Sequence, residues 1–477
     1  MGPAALTRHV ALVGFMGSGK SSLGAEAAAR LGRPFVDVDA ELEREVGLPI
    51  ARLWAERGEA AFRELEEELT VEALADAVPA VLSLGGGAIL SERVREALRA
   101  RAVAVLVEVD VDEAWARVAG SERPLAQDEG EFRRLYEERE ALYQEVADAR
   151  TRDVDGIALA AAGVHVEPGA LGLLGSLVPG AGRVALVSDP HVAGIHGADA
   201  QLALGARLDS THELPPGEEA KTLEAVGRLW DDLRLDRGGT LVALGGGCTT
   251  DAGGFAASAY LRGIAWVPVP TTLVGQVDAA IGGKTAVNLR GGKNLVGAFH
   301  WPAATVVDPS LLATLPEGQR REGLAEVVKT GLLAGEPLWE LPEPELVRRC
   351  AAFKAAVCLR DPHDRGPRNV LNLGHTFAHA LEAAAGYEGV THGRAVALGL
   401  LAALRLSGVD DEPVRRLLDP RPVRVDRERA WAALRRDKKA ADGRLRLVLL
   451  DAPGRPRWGV EVPEDDVRAA LDALIAG

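Results

Sequence analysis

At 477 residues the chain is about three times the common single-domain size. Its 47% apolar and 26% charged residues are ordinary for a globular protein. A net charge of −15 argues against nucleic acid or an anionic membrane as the main partner, and no stretch approaches the roughly 18 apolar residues of a membrane helix.

The basic residues are lopsided: 47 arginines against eight lysines, at positions 20, 221, 284, 293, 329, 354, 438 and 439. A chain that uses arginine for generic surface charge keeps lysine where a compact ammonium is needed. The apolar run Val10–Val13 is too short for a signal-peptide core, and Leu6 stands where a myristoylation motif wants Ser or Thr. Cys248, Cys350 and Cys358 show no CxxC spacing, so a cytoplasmic protein is expected.

Residues 1–160 carry 19 basic and 31 acidic side chains, net −12, against 36 and 39 in the remainder, net −3. That asymmetry predicts two separately built units, with Gly/Ala/Pro-rich residues 161–182 as the join. Val164-His165-Val166 within it reads equally as a first strand of the second unit. In the first unit, strands at Val10–Val13, Pro34–Val38, Val81–Leu84 and Val103–Val107 alternate with helical patterns, which predicts a parallel sheet covered by helices. The second opens likewise, with strands at Val184–Val187 and Thr240–Leu244. From about Pro316 it turns largely helical, predicting an α/β lobe (163–315) and a helical lobe (316–477) with an active-site cleft between them.

Gly14-Phe15-Met16-Gly17-Ser18-Gly19-Lys20-Ser21 fits GxxxxGK[ST] between a strand and a helix. Backbone N–H groups around Gly17, Ser18 and Gly19 and the helix start at Ser22 suit phosphates. Lys20 suits the β- and γ-phosphates, and the Ser21 hydroxyl suits Mg²⁺. Asp37 and Asp39 end the next strand, where one carboxylate can serve a metal and the other a hydroxyl. With Phe62-Arg63-Glu64-Leu65-Glu66, Gly85-Gly86-Gly87, Arg123-Pro124-Leu125 and Glu138-Arg139-Glu140-Ala141-Leu142-Tyr143, this unit resembles shikimate kinase over roughly residues 7–160. The resemblance implies that Asp39 is the catalytic base and binds the shikimate hydroxyls. It implies that Arg63 and Arg139 hold the carboxylate, Gly86 and Gly87 face the ring, and Arg123 closes over ATP. Asp37 would reach Mg²⁺ through water. Ser21 stands where the family more often has Thr, and Ala126 replaces a second lid Leu.

In the second unit Leu241–Leu244 runs into Gly245-Gly246-Gly247, with Asp251 beyond it and Pro270-Thr271-Thr272 after another strand. This pattern suits a dinucleotide pyrophosphate. His375, His379 and His392 fall within eighteen residues, the first two at i, i+4 on one helix face. HExxH lacks its Glu here, so a metalloprotease is rejected. Two histidines plus Glu326 would leave a tetrahedral Zn²⁺ one open position. Arg262, Lys284, Lys293, Asn294, Lys329, Lys354, Arg368 and Lys438-Lys439 supply cations and an amide for a substrate bearing both phosphate and carboxylate.

The combination resembles 3-dehydroquinate synthase, of the sugar phosphate cyclases, over about residues 163–477. Pro216–Lys221, Tyr260–Gly263, Gln276–Asp278, Gly292–Asn294, Gly323–Lys329, Leu371–His379, His392-Gly393 and Arg436–Lys439 follow the family order. By that resemblance Glu326, His375 and His392 bind Zn²⁺ (or Co²⁺). Glu218, Lys221, Gly246, Gly247, Asp251, Thr271, Thr272 and Lys293 contact NAD. Asp278, Lys329, Lys354, Arg368 and Asn372 orient hydroxyls and carboxylate. Lys284, Asn294, His379 and Lys438 take the phosphate, helped by Arg262 from a partner subunit. The catalytic set is Lys329, Lys354, Arg368, Asn372 and His379. Thr250 and Asp361–Gly366 depart from the family pattern.

The expectation is therefore an α/β protein: a P-loop kinase domain fused to a two-lobed synthase domain with a Rossmann-like lobe and a helical lobe. It would phosphorylate shikimate at the 3-position from ATP with Mg²⁺. It would also cyclise 3-deoxy-D-arabino-heptulosonate 7-phosphate to 3-dehydroquinate with NAD and a divalent metal. Small-molecule substrates, no nucleic acid, no membrane and a homodimer through the synthase domain complete it. Two alternatives stand beside it. One is a sugar-acid kinase joined to another sugar phosphate cyclase or a polyol dehydrogenase; the other is a nucleotide-sensing P-loop module regulating the cyclase.

Overall fold

A computed structural model describes residues 4–121, 123–387, 389–437 and 445–476. Lys438 and Lys439 lie outside them. The chain divides into two units, residues 1–163 and 164–477.

In the first unit β1 (His9–Val13) is buried at every residue, as a central parallel strand covered on both faces must be. It pairs with β3 (Val81–Ser83) and β4 (Ala102–Val107); β2 (Phe35–Asp37) and β5 (Ala149–Thr151) complete the all-parallel order β2-β3-β1-β4-β5. Helix Lys20–Leu31 follows β1 across the Gly-rich turn and buries Gly24, Ala27, Ala28 and Leu31. A side chain at Gly24 would collide with Phe35, so the small face brings this helix onto β2. Helix Ile50–Ala75 is broken at Gly58, whose φ of 80° suits only glycine. Below that break Phe62 joins Leu42 and Leu53 in a small core, each buried side chain contributing about 1.5–3 kcal/mol.

Helix Val154–Ala162, capped by Asp153 accepting from Gly156 N at 2.8 Å, ends at Gly163 with φ 68°. The next three residues form β6 (Val164–Val166), and residues 170–178 bury Ala170, Leu171, Leu174 and Val178 in the core of the second unit. The stretch 161–182 thus consists of a helix end, a strand and packed turns.

In the second unit β7 (Val184–Ser188), β8 (Leu208–Glu213), β9 (Thr240–Gly245) and β10 (Ala265–Pro270) form a parallel sheet ordered β10-β9-β7-β8. The antiparallel hairpin β11 (Lys284–Leu289)–β12 (Gly292–Phe299) and the parallel pair β6–β13 (Thr305–Val307) complete this lobe. Helix Gly247–Ala259 lies close on β9, because a Cβ on Gly253 would come within 2.8 Å of Ala243 Cβ. The second lobe packs helices Glu317–Ala334, Glu343–Arg360, His375–Ala384 and His392–Ser407 around one apolar core. It also contains the antiparallel hairpin β14 (Arg446–Ala452)–β15 (Arg455–Glu461), within the stretch that sequence periodicity marks as helical. Leu447–Leu450 is a buried four-residue apolar run, which periodicity alone does not distinguish from a helix segment. No helix among the described residues is long and apolar enough to cross a membrane.

Candidate active sites

The turn after β1 places Gly14, Gly17 and Gly19 at φ 145°, 82° and 91°. A side chain at Gly17 would meet the carbonyl of Ala114 at 2.7 Å, so geometry and space both demand glycine. Lys20 folds back over this loop, its ammonium donating to Gly14 O at 2.7 Å and Phe15 O at 3.0 Å. Burial pushes the Lys20 ammonium down to about 8, against the opposing pull of Asp39. Ser18 is buried, Ser22 is exposed on the first helical turn, and the Ser21 hydroxyl sits 3.5 Å from that of Ser83 at the end of β3. Arg117, which sequence reading did not single out, donates to Gly17 O at 2.8 Å.

A cavity of about 420 Å³ opens beside this loop and is lined by Ser21, Asp37, Asp39, Arg63, Glu66, Gly86, Gly87, Arg123 and Arg139. Asp37 caps helix Val38–Val46 through Ala40 N at 3.3 Å. Asp39 follows in the first turn; burial raises its pKa, which Lys20 partly offsets. Arg63 spreads over the rings of Trp54 and Phe62 and donates to Glu66 at 2.6 Å. Arg139 is buried, donating to Gly86 O at 3.1 Å, and Tyr143 donates to the same oxygen at 2.5 Å. Arg123 is exposed at the head of the turn Pro124–Ala126, which the Gln127 amide pins by donating to Ser121 O and Arg123 O at 2.9 and 2.8 Å. Three guanidinium groups, those of Arg63, Arg123 and Arg139, and two carboxylates whose pKa burial raises, Asp39 and Glu66, thus line one cavity beside a phosphate loop. Buried Glu66 lines this cavity, and sequence reading gave it no part.

In the second unit Gly246 starts helix Gly247–Ala259 at the end of β9, Thr271 N donates to Gly245 O at 3.0 Å, and Thr272 Oγ1 accepts from Gly275 N at 3.1 Å. The ammonium of Lys221 joins Asp251 at 2.5 Å and Asn294 Oδ1 at 2.6 Å, while Lys293 pairs with Glu218 at 2.9 Å. Asn288, unassigned by sequence reading, ties these together. It donates to Glu218 at 2.7 Å and accepts from the backbone N–H of Asn294, whose φ is 57°. The NAD-site residues expected from sequence therefore converge where the β9 turn meets the β11–β12 hairpin.

Across from it, Lys354 from the helical lobe binds Asp278 through both its carboxylate and, at 2.7 Å, its carbonyl. Lys329, 2% exposed, lies between Asp278 at 3.8 Å and Glu326 at 2.5 Å. Arg368 is buried, Asn372 ends the turn Pro367–Asn372, and His379 is exposed on the helix that starts at His375. Lys284 is ion-paired with Asp364, in the segment where the sequence departs from the family pattern. Arg262 is exposed on the turn Tyr260–Arg262 at φ 71°.

Glu326, His375 and His392 bring ligand-type atoms within 4.8 Å of one another. His375 Nε2 and His392 Nε2 lie 3.5 and 3.1 Å from Glu326 Oε1. Each histidine offers its other nitrogen to an oxygen: His375 Nδ1 lies 3.2 Å from Leu373 O, and His392 Nδ1 lies 3.5 Å from Glu382 Oε1. That leaves both Nε2 atoms facing inward, as metal-ligating histidines require. Burial opposes charge on Glu326, but Lys329 and His375 prevail and hold it well below the usual carboxylate range. The Glu326 carboxylate and the two inward nitrogens, gathered within 4.8 Å, fit a divalent cation.

Residues 16–161 match the shikimate kinase family, 211–322 the N-terminal and 323–440 the C-terminal 3-dehydroquinate synthase families. A protein of Thermotoga maritima named bifunctional shikimate kinase/3-dehydroquinate synthase is 34% identical over 491 residues, covering 94% of this chain and 96% of that one. The solved structure of 2-deoxy-scyllo-inosose synthase complexed with carbaglucose-6-phosphate, NAD⁺ and Co²⁺ is 26% identical with a TM-score of 0.58, covering 65% of this chain and 96% of its own. That of 2-epi-5-epi-valiolone synthase from Streptomyces hygroscopicus, with NAD⁺ and Zn²⁺ bound, is 28% identical with a TM-score of 0.57, over the same shares.

Proposed function

The chain belongs to the family of bifunctional shikimate kinase/3-dehydroquinate synthases and carries both activities, and from that premise we propose how its residues divide the work. In the first unit the loop Gly14–Lys20 cradles ATP, with Gly17, Ser18, Gly19, Lys20, Ser21 and Ser22 around the phosphates. Mg²⁺ would be held by Ser21 and, through water, Asp37, offsetting the charge of the phosphates. Arg63 and Arg139 fork the shikimate carboxylate, and Gly86 and Gly87 leave room for the ring. Asp39 accepts the proton of the 3-hydroxyl as its oxygen bonds to the γ-phosphorus and the bond to ADP breaks. The raised pKa of Asp39 suits a base. Arg123 closes over the transferring phosphoryl group.

In the second unit Glu218, Lys221, Gly246, Gly247, Asp251, Thr271, Thr272 and Lys293 would hold NAD, and Glu326, His375 and His392 a divalent metal, Zn²⁺ or Co²⁺. NAD⁺ supplies a hydride acceptor and the metal acidifies a substrate hydroxyl. Asp278, Lys329, Lys354, Arg368 and Asn372 orient the hydroxyls and carboxylate of the heptulosonate. Lys284, Asn294 and His379, with Lys438 from outside the described residues and Arg262 from a second copy of the chain, bind the phosphate as it leaves. Exposed Leu261, Leu289, Leu295 and Phe299 around Arg262 and the hairpin support a homodimer through this unit. Three free cysteines support a reducing, cytoplasmic setting.

The observation that carries the synthase reading is the convergence of Glu326, His375 and His392 with Lys329 on one of them. For the kinase it is Arg63, Arg139 and Asp39 on a single cavity, since a nucleotide sensor has no use for a carboxylate fork. The test is direct. Phosphate release from the heptulosonate phosphate with NAD⁺ and Zn²⁺ is expected, as is ADP formation from shikimate, ATP and Mg²⁺. No phosphate release would refute the cyclase assignment, and ATP binding without ADP formation would turn the first unit into a sensor.

A further inference from the structure

The third proposed metal ligand, His392, is the first residue of its helix, where backbone fraying and ring rotation would leave a lone ligand ill-defined. Its predecessor Thr391 gives that helix no side-chain cap. The cap comes instead from Glu322, on helix Glu317–Ala334: Thr391 Oγ1 donates to Glu322 Oε1 at 2.7 Å, and Gly393 N donates to Glu322 Oε2 at 2.6 Å. The residues on either side of His392 are thus tied to one carboxylate. Gly393 permits this approach, since a Cβ there would come within 2.6 Å of the Glu322 backbone.

The ring is held from another side. Glu382 Oε1 stands 3.5 Å from His392 Nδ1, and Glu382 is 5% exposed. Glu322 lies four residues before Glu326 on one helix, and Glu382 lies seven after His375 on the other, so each shares a face with a ligand of its own helix. Each of the two helices that carry Glu326 and His375 therefore also sends a carboxylate to fix the third ligand.

We infer that Glu382 and Glu322 are positioning residues for His392, Glu382 setting the ring's tautomer and orientation and Glu322 its backbone. The inference rests on the proposed metal centre. With Nδ1 turned toward Glu382, the ring presents Nε2 to the space shared with Glu326 and His375. Outer partners of this kind raise metal affinity about 10–100-fold.

The experiment uses the full chain stripped of metal, with Zn²⁺ affinity read by competition with a chromophoric chelator. His375→Ala is the control on the centre itself: affinity equal to that of the unaltered chain would refute the metal centre, whatever Glu382 does. Given a working centre, Glu382→Gln is expected to weaken Zn²⁺ binding about 10–100-fold, with Glu382→Asp in between. The melting temperature of the metal-free chain and its ADP formation from shikimate should stay unchanged. Glu322→Gln, which keeps one acceptor oxygen, is expected to lose less. Unaltered Zn²⁺ affinity in Glu382→Gln would overturn the proposal. So would a loss matched by a fall in the metal-free melting temperature, or failure of both Glu382 variants to fold, since either assigns the residue to structure alone.

Discussion

Arg63 donates to Glu66 at 2.6 Å, and the Glu66 side chain is only 3% exposed. One guanidinium therefore stabilises a buried carboxylate and faces the cavity proposed for shikimate. Removing it separates two effects. Arg63→Ala should raise the KM for shikimate about 10–100-fold, the size of one or two charge-assisted hydrogen bonds, and lower stability by about 1–3 kcal/mol by leaving Glu66 unpaired. Adding Glu66→Ala should recover part of the stability and none of the KM. Chemical denaturation and steady-state kinetics on both variants check this.

Gly87 tests the same fork without touching its charge. A Cβ there would overlap the guanidinium of Arg63, which would have to leave its place over Trp54 and Phe62. Gly87→Ala should raise the KM for shikimate about tenfold, comparable to losing one charged hydrogen bond, with the KM for ATP unchanged. A parallel rise in both would assign Gly87 to the phosphate loop instead.

The lowered pKa of Lys20 gives ATP binding a pH dependence. Burial places the ammonium at about 8, below its ordinary 10.5. Between those values the unfolded chain holds a proton that the folded chain lacks, so this group's contribution to stability increases as pH rises through that window. ATP favours the ammonium, so affinity should fall as pH rises beyond 8, by about tenfold per unit at the limit. Calorimetric titration of ATP from pH 7 to 9.5 measures it, and a flat profile would remove the protonated lysine from the phosphate site.

The two activities should separate cleanly. Lys20→Ala should lower kinase turnover by about three orders of magnitude, in line with losing a preorganised cation from phosphoryl transfer. Phosphate release by the synthase should be unaffected. Stripping the chain with a chelator and assaying in excess Mg²⁺ should do the reverse, and Zn²⁺ or Co²⁺ should restore the synthase. Loss of both activities in either experiment would contradict independent sites.

Much of this was legible in the sequence because phosphate loops and metal sites are local or regularly spaced. Gly14–Ser21 carries its own strand, turn and helix, and the i, i+4 pair His375/His379 announces a helix face. What escaped is what burial decides. Glu66 reads as one of several acids in Glu64–Glu68 until the fold closes Phe62 and Arg63 around it. Glu322 and Glu382 read as ordinary helix charges until three helices cross. The β14–β15 hairpin escaped because its buried run Leu447–Leu450 lacks the alternation that marks a half-exposed strand. Asp364 stood out only as a departure; its role as partner of Lys284 needed the fold.

The scarce lysines acquire a further meaning from their partners. Each of the six in the described residues already holds protein oxygen: Lys20 the loop carbonyls, Lys221 Asp251, Lys284 Asp364, Lys293 Glu218, Lys329 Glu326 and Lys354 Asp278. In the five of the second unit that oxygen is a carboxylate, so an arriving anion meets occupied cations and must trade places with an internal counter-ion. A ligand with a single weak charge gains little from that trade, whereas one bearing phosphate and carboxylate together can displace several partners at once. Rejection of singly charged look-alikes is thus written into the resting site, ahead of any contact with the reacting carbons.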